Sequence, residues 1–66
     1  MNNAELHKII HKISFKPKER MEIFQSLPYS SQADVILHLT KHMQYEILSK
    51  LKDDEIISLQ QVRLIF

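Results

Sequence analysis

The 66-residue sequence has no glycine, no cysteine and no tryptophan, and it has only two prolines. Without glycine there is no phosphate-cradling loop, no dinucleotide fingerprint and no ordinary two-residue hairpin turn, because each needs a backbone that reaches φ > 0 cheaply. Without cysteine there is no disulfide framework, no thiolate zinc site and no cysteine nucleophile, an absence that fits a reducing compartment. Long apolar runs are also missing, and none approaches the roughly 18 residues that cross a bilayer. The start, Met1 to Glu5, lacks the charged lead and apolar block of a signal peptide, so a cytosolic chain is expected. What is present is 44% hydrophobic residues and 26% charged residues, enough apolar material for a packed core. A chain of this length makes one domain, and folding would bury about 60% of its unfolded surface.

Net charge is +1 with the histidines neutral, which sets up no strong overall field toward nucleic acid or anionic lipid. The charge is uneven along the chain. Residues 1–26 hold five Lys/Arg against three acids, and residues 27–66 hold four against five. The basic cluster is Lys8, Lys12, Lys16, Lys18 and Arg20, interspersed with Glu5, Glu19 and Glu22, and reads as a solvated helix face.

Helical periodicity runs throughout. Asn3 is the expected cap of a first helix over residues 4–13, where Leu6, Ile9, Ile10 and Ile13 fall on one stripe with Lys8 and Lys12 pointing away. Pro17 suits the first turn of a second helix carrying Met21, Ile23, Phe24 and Leu27, and Pro28 is expected to end it. Tyr29, Ser30 and Ser31 are predicted as a turn, with Ser30 or Ser31 capping a third helix through Leu39. Thr40 is the expected cap of a fourth helix, and Asp53 of a fifth whose first turn holds Asp54 and Glu55.

Several apolar columns recur every 12 residues: Phe15, Leu27, Leu39 and Leu51; Met21, Ala33, Tyr45 and Ile57; Ile23, Val35, Ile47 and Leu59. A fourth, Phe24, Ile36 and Leu48, breaks at Gln60. Short helices are marginal alone, so a regular series of them implies stacking. The expected architecture is all-α: a right-handed superhelical stack of about five short helices with a 12-residue repeat, residues 1–66 forming a single helical-repeat domain.

Little in the chain points to catalysis. His7 and His11 have the spacing of a two-histidine metal face but lie among lysines with no third ligand, and His38 and His42 straddle the expected helix boundary at Thr40. Ser30, Ser31 and Ser49 have no base placed beside them, and Tyr29 and Tyr45 read as packing residues. A helix-turn-helix reading of the third and fourth helices lacks the cations that phosphate contacts need, so no nucleic-acid partner is expected. Asp53-Asp54-Glu55 is the one acidic run. Its plain role is to cap a helix and offset the helix dipole, and its functional role would be a share of a Mg²⁺ site, since hard oxygen ligands suit that ion.

The stretch Leu27-Pro28-Tyr29-Ser30-Ser31-Gln32-Ala33-Asp34-Val35-Ile36-Leu37-His38-Leu39, followed by Met43 to Leu51 and Asp53 to Leu59, resembles the intracellular N-terminal domain of MgtE-type magnesium transporters. The likeness covers about residues 15–59, and its short-helix pattern is also similar to that of flagellar motor switch proteins. The resemblance implies a cytoplasmic, non-enzymatic regulatory module, a piece of a larger protein, that contributes to Mg²⁺-dependent gating. It implies acidic surfaces bridged between domains by Mg²⁺, with Asp53, Asp54 and Glu55 the nearest candidate ligands, followed by Asp34 and Glu46. The alternative it leaves is a helical protein-interaction module with no ion role. Gln60 stands where the family pattern expects another leucine. The apolar end, Val62, Leu64, Ile65 and Phe66, adds a second expectation: these residues fold back onto the first helix or contact a second copy through the last helix. The expected partners are other domains of a transporter or that second copy, with no membrane insertion by this segment.

Overall fold

The computed structural model describes the backbone of residues 1–65 and the side chains of residues 1–61. Five helices follow one another: α1 (Asn3–Phe15), α2 (Arg20–Gln25), α3 (Tyr29–His38), α4 (Lys41–Lys50) and α5 (Asp53–Ile65). No strand occurs among the described residues, and the fold is all-α. α1 packs on α2 and α3, and α3 also packs on α5. The Cα radius of gyration is 11.1 Å, close to the about 11 Å expected of a compact chain of this length.

The helix limits differ from expectation in instructive ways. α1 is capped by Asn2, not Asn3: its side chain accepts the Glu5 N–H at 2.8 Å. The helix also runs past Ile13 to Phe15, because nothing in Ser14-Phe15 prevents helical torsions and Lys16 N–H still reaches the Lys12 carbonyl at 3.0 Å. Pro17 lies in a turn ahead of α2, which is therefore shorter than predicted and ends at Gln25, before Leu27. Pro28 does not close α2; it occupies the N-cap position of α3 at φ −58°. Tyr29, Ser30 and Ser31 are then the first turn of α3, and no serine side chain caps it. Thr40 caps α4 as expected, its Oγ1 accepting the Met43 N–H at 3.3 Å. Asp53 is the first residue of α5, and it is Glu55 that reaches back, accepting the Lys52 N–H at 3.2 Å.

The core consists of Ile13, Phe24, Ala33, Val35, Ile36, Leu39, Ile47, Leu51 and Leu59, so every helix contributes to it. Of the 12-residue columns, the one through Val35, Ile47 and Leu59 is buried, with Ile23 half-buried. The others are divided. Phe15 is 72% exposed, Tyr45 80% and Ile57 54%, so these three are not the packing residues their columns imply. A register position sets where a residue sits along a helix, but a neighbour must cover it before it becomes core. The expected contact through Val62, Leu64, Ile65 and Phe66 concerns side chains outside the described residues.

How the helices end explains how the chain manages without glycine. No described residue has positive φ. α3 and α4 leave through extended residues instead: Leu39 at φ −86°, ψ 158° and Leu51 at φ −79°, ψ 150°. Leu27, Leu39 and Leu51 each donate their N–H to the carbonyl three residues back, at 3.2, 3.3 and 3.4 Å. These turns leave helix-end carbonyls short of donors. Side chains from the next helix supply them. Gln32 Nε2 donates to the Leu27 carbonyl at 3.0 Å, and Gln44 Nε2 to the carbonyls of Ile36 and Leu39 at 2.6 and 3.1 Å.

Arg20 does the same at the first junction. Its Nε donates to the Ile13 carbonyl at 2.8 Å and its Nη2 to the Ser14 carbonyl at 3.3 Å. Its Nη1 donates to Glu46 Oε2 at 2.8 Å, which ties the start of α2 to α4. Arg20 is only 8% exposed and so does not belong to the solvated basic face. A planar guanidinium with several donors can serve two carbonyls and a carboxylate at once, which an ammonium cannot.

Two predictions follow from these junctions. The Arg20 hydrogen bond holds the Glu46 carboxyl below its ordinary value of 4.5, opposed by partial desolvation and helped by the nearby charges of Arg20, Lys50 and His42. A carboxyl lowered on folding contributes stability above its unfolded pKa and loses it as pH falls through the folded value. Urea midpoints of the wild type and Glu46→Gln should thus differ at neutral pH and converge under acid, and parallel pH profiles would refute the pairing. Arg20→Met strands two carbonyls and a carboxylate and should lower unfolding free energy by about 2–4 kcal/mol. Arg20→Lys should recover only part of that loss in the same urea titration.

Candidate functional site

The acidic run occupies the N-terminal turn of α5, where the backbone N–H groups favour negative charge by about 0.3–1 kcal/mol per side chain. Its three carboxylates are not equivalent. Glu55 is half-buried and committed on both oxygens: Oε1 accepts the Lys52 N–H at 3.2 Å, and Oε2 accepts Gln25 Nε2 at 3.3 Å, which links α5 to α2. Asp53 and Asp54 are exposed and, among the described residues, carry no side-chain hydrogen bond or ion pair. The sequence places these three side by side, and the structure separates a structural glutamate from two free aspartates.

Asp34 and Glu46 stand apart from this turn in role. Asp34 is exposed on α3, and its backbone carbonyl, not its carboxylate, is engaged by His38 Nδ1 at 2.8 Å. Glu46 is taken up by Arg20 and, though partly exposed, has the character of an internal ion pair. Among the described residues no three His, Asp or Glu side chains converge in a way that could hold a metal ion.

The histidines are similarly dispersed. His7 and His11 are exposed on α1, and the His11 ring lies against Phe15 with centroids 4.7 Å apart and planes tilted by 42°. His42 is exposed on α4. Ser49 Oγ donates to the Glu46 carbonyl at 2.8 Å, a local bond within its own helix. Two hollows, both open to solvent, lie around the α1–α2 turn: one of about 430 Å³ along Lys16 to Glu19, and one of about 270 Å³ between Glu19, Glu22, Ile23 and Ser26. Neither contains residues of the acidic turn or of the histidine pairs.

Arg20, Gln32 and Gln44 are the residues that sequence reasoning missed. They stand 12 apart in the chain, a polar column running between the apolar ones. A polar residue recurring at fixed spacing beside buried positions was the available signal for a structural hydrogen-bonding role. At the next position of the column stands Ile56, which has no donor; its neighbour Glu55 instead accepts the Lys52 N–H at the start of α5.

The family model of the MgtE intracellular N domain matches residues 1–61. Neither the search of curated proteins nor that of solved structures returned a significant match. No described helix is long and apolar enough to cross a membrane. A match over nearly the whole chain, on five short helices with an acidic turn at the start of the last, shows that the chain belongs to the family of MgtE intracellular N domains, which is associated with magnesium transport.

Proposed function

We propose that this chain is a regulatory N-domain of a magnesium transporter, lying on the cytosolic side of the membrane, and that it contributes to Mg²⁺-dependent gating without catalysing a reaction. The observation that carries this reading is the pair of exposed carboxylates of Asp53 and Asp54 at the head of α5, which have no partner among the described residues. In this reading they supply one half of a site, and carboxylates of another transporter domain supply the other half. Hydrated Mg²⁺ between them offsets like charges. Its loss leaves those charges facing each other, and the docked arrangement gives way to a looser one. Glu55 acts as a support here: its bonds to Lys52 and Gln25 hold the turn that presents the two aspartates.

A second reading, a helical interaction module of flagellar-switch or adaptor type with no ion role, draws support from apolar side chains left in water. Leu37 is 60% exposed, Tyr45 80% and Ile57 54%, and a protein partner or a second copy could cover them.

The two readings separate in a titration. Millimolar Mg²⁺ should shift the NMR amide signals of residues 53–55, and Asp53→Asn with Asp54→Asn should reduce those shifts at least several-fold. Signals that stay uniformly unmoved would rule out Mg²⁺ binding by this chain on its own and favour the interaction reading.

A further inference from the structure

We propose that the outward face of α1, with the turn that follows it, is a docking surface for an anionic membrane leaflet. Between His7 and Lys18 the sequence holds Lys8, Lys12, Lys16 and Lys18 and no Asp or Glu, a local charge of +4 with the histidines neutral. Four of the seven lysines of the chain therefore lie in this one segment. All four are exposed, whereas Arg20, their neighbour in sequence, is buried against Glu46 and contributes nothing to the surface.

Helical geometry gathers these charges around an aromatic ring. At about 100° per residue, Lys8, Phe15 and Lys12 fall within about 60° of arc on α1. The opposite side of the helix carries Leu6, Ile9, Ile10 and the fully buried Ile13, so this face points away from the core. Phe15 is 72% exposed, and among the described residues the His11 ring packs against it. The nearest acids are weak competitors. Glu5 lies one turn before Lys8 on the same side of α1, its Oε1 accepting from the Asn2 cap at 3.4 Å, and Glu19 meets Lys16 at 4.0 Å with both side chains more than half exposed. An exposed pair of that kind contributes little and leaves the lysine available.

Charge complementarity calls for an anionic partner, and shape selects the kind. The outward face of a single helix is convex, and the hollow at Lys16 to Glu19 opens to solvent without forming a groove that could enclose a peptide. A planar lipid surface meets a convex face well. Clustered lysines gain from the anionic headgroups, and an aromatic ring between them can enter the interfacial layer. The attachment is peripheral, with no segment crossing the bilayer. It is independent of the Mg²⁺ reading, since it uses the opposite charge on a different helix.

The test is co-sedimentation of the 66-residue chain with vesicles of phosphatidylserine and phosphatidylcholine, against phosphatidylcholine alone, with EDTA present throughout. Binding should require phosphatidylserine and weaken as salt rises. Lys8→Gln and Lys12→Gln should each weaken it about fivefold, the factor equivalent to about 1 kcal/mol per basic residue at an anionic surface. Phe15→Ala should weaken it about tenfold through lost apolar burial. All three positions are exposed, so the fold should be kept, and circular dichroism checks this. Lys41→Gln and Lys50→Gln on α4 should leave binding unchanged. The proposal is overturned by equal binding to both vesicles, by no binding, by equal loss in the α4 variants, or by capture of poly-glutamate or a single-stranded oligonucleotide in place of the vesicles. Because EDTA removes free Mg²⁺, failure here leaves the reading of Asp53 and Asp54 standing.

Discussion

The structure depends on finding donors for helix-end carbonyls in a chain that has no glycine. Short helices expose proportionally more unsatisfied backbone than long ones, and five of them in 66 residues multiply the problem. A left-handed C-cap would ordinarily absorb part of it. Here Arg20, Gln32 and Gln44 each reach back from one helix to the carbonyls that close the previous one. The hydrogen bonds therefore join consecutive helices as well as finishing them. Among the described residues no turn needs positive φ, and the junctions are tied by side chains from beyond the turn.

Arg20 goes further than the two glutamines because its third contact is to Glu46, 26 residues away. Among short helices whose apolar contacts are limited, such a link fixes α4 relative to the α1–α2 junction. α4 buries Ile47 alone among its residues, so its hold on the rest of the domain leans on that side chain, on the Gln44 bonds and on the Arg20–Glu46 pair. The cost of taking the guanidinium out of water is met by partners on three of its nitrogens.

With Arg20 and Glu46 paired and Glu55 spent on the head of α5, two local charge features remain at the surface. The outward side of α1 is basic around Phe15, and the head of α5 presents two free aspartates. A net charge of +1 conceals this arrangement. In the proposed reading the two features serve different contacts, one with an ion between protein surfaces and one with the membrane.

Much of this was legible in the chain because it is local. The number and order of the helices, the cap at Thr40 and the acidic first turn of α5 follow from residues within a few positions of one another, and the quoted stretch from Leu27 to Leu59 pointed to the right family. The limits of α1 and α2 were less legible, since Asn2 and Asn3 cap equally well and a proline suits either a first turn or an N-cap. What the sequence by itself determined was an all-α chain of short helices with glycine-free turns. Tertiary structure alone decided which equivalent positions became core: it covered Val35 and Ile47 and left Tyr45, Ile57 and Phe15 in water. It also turned Arg20 from a surface cation into an internal tie and divided the acidic run into one support and two free carboxylates. The physical reason is the same in each case. Burial and pairing belong to contacts between helices, and periodicity along one helix does not say which neighbour will meet it.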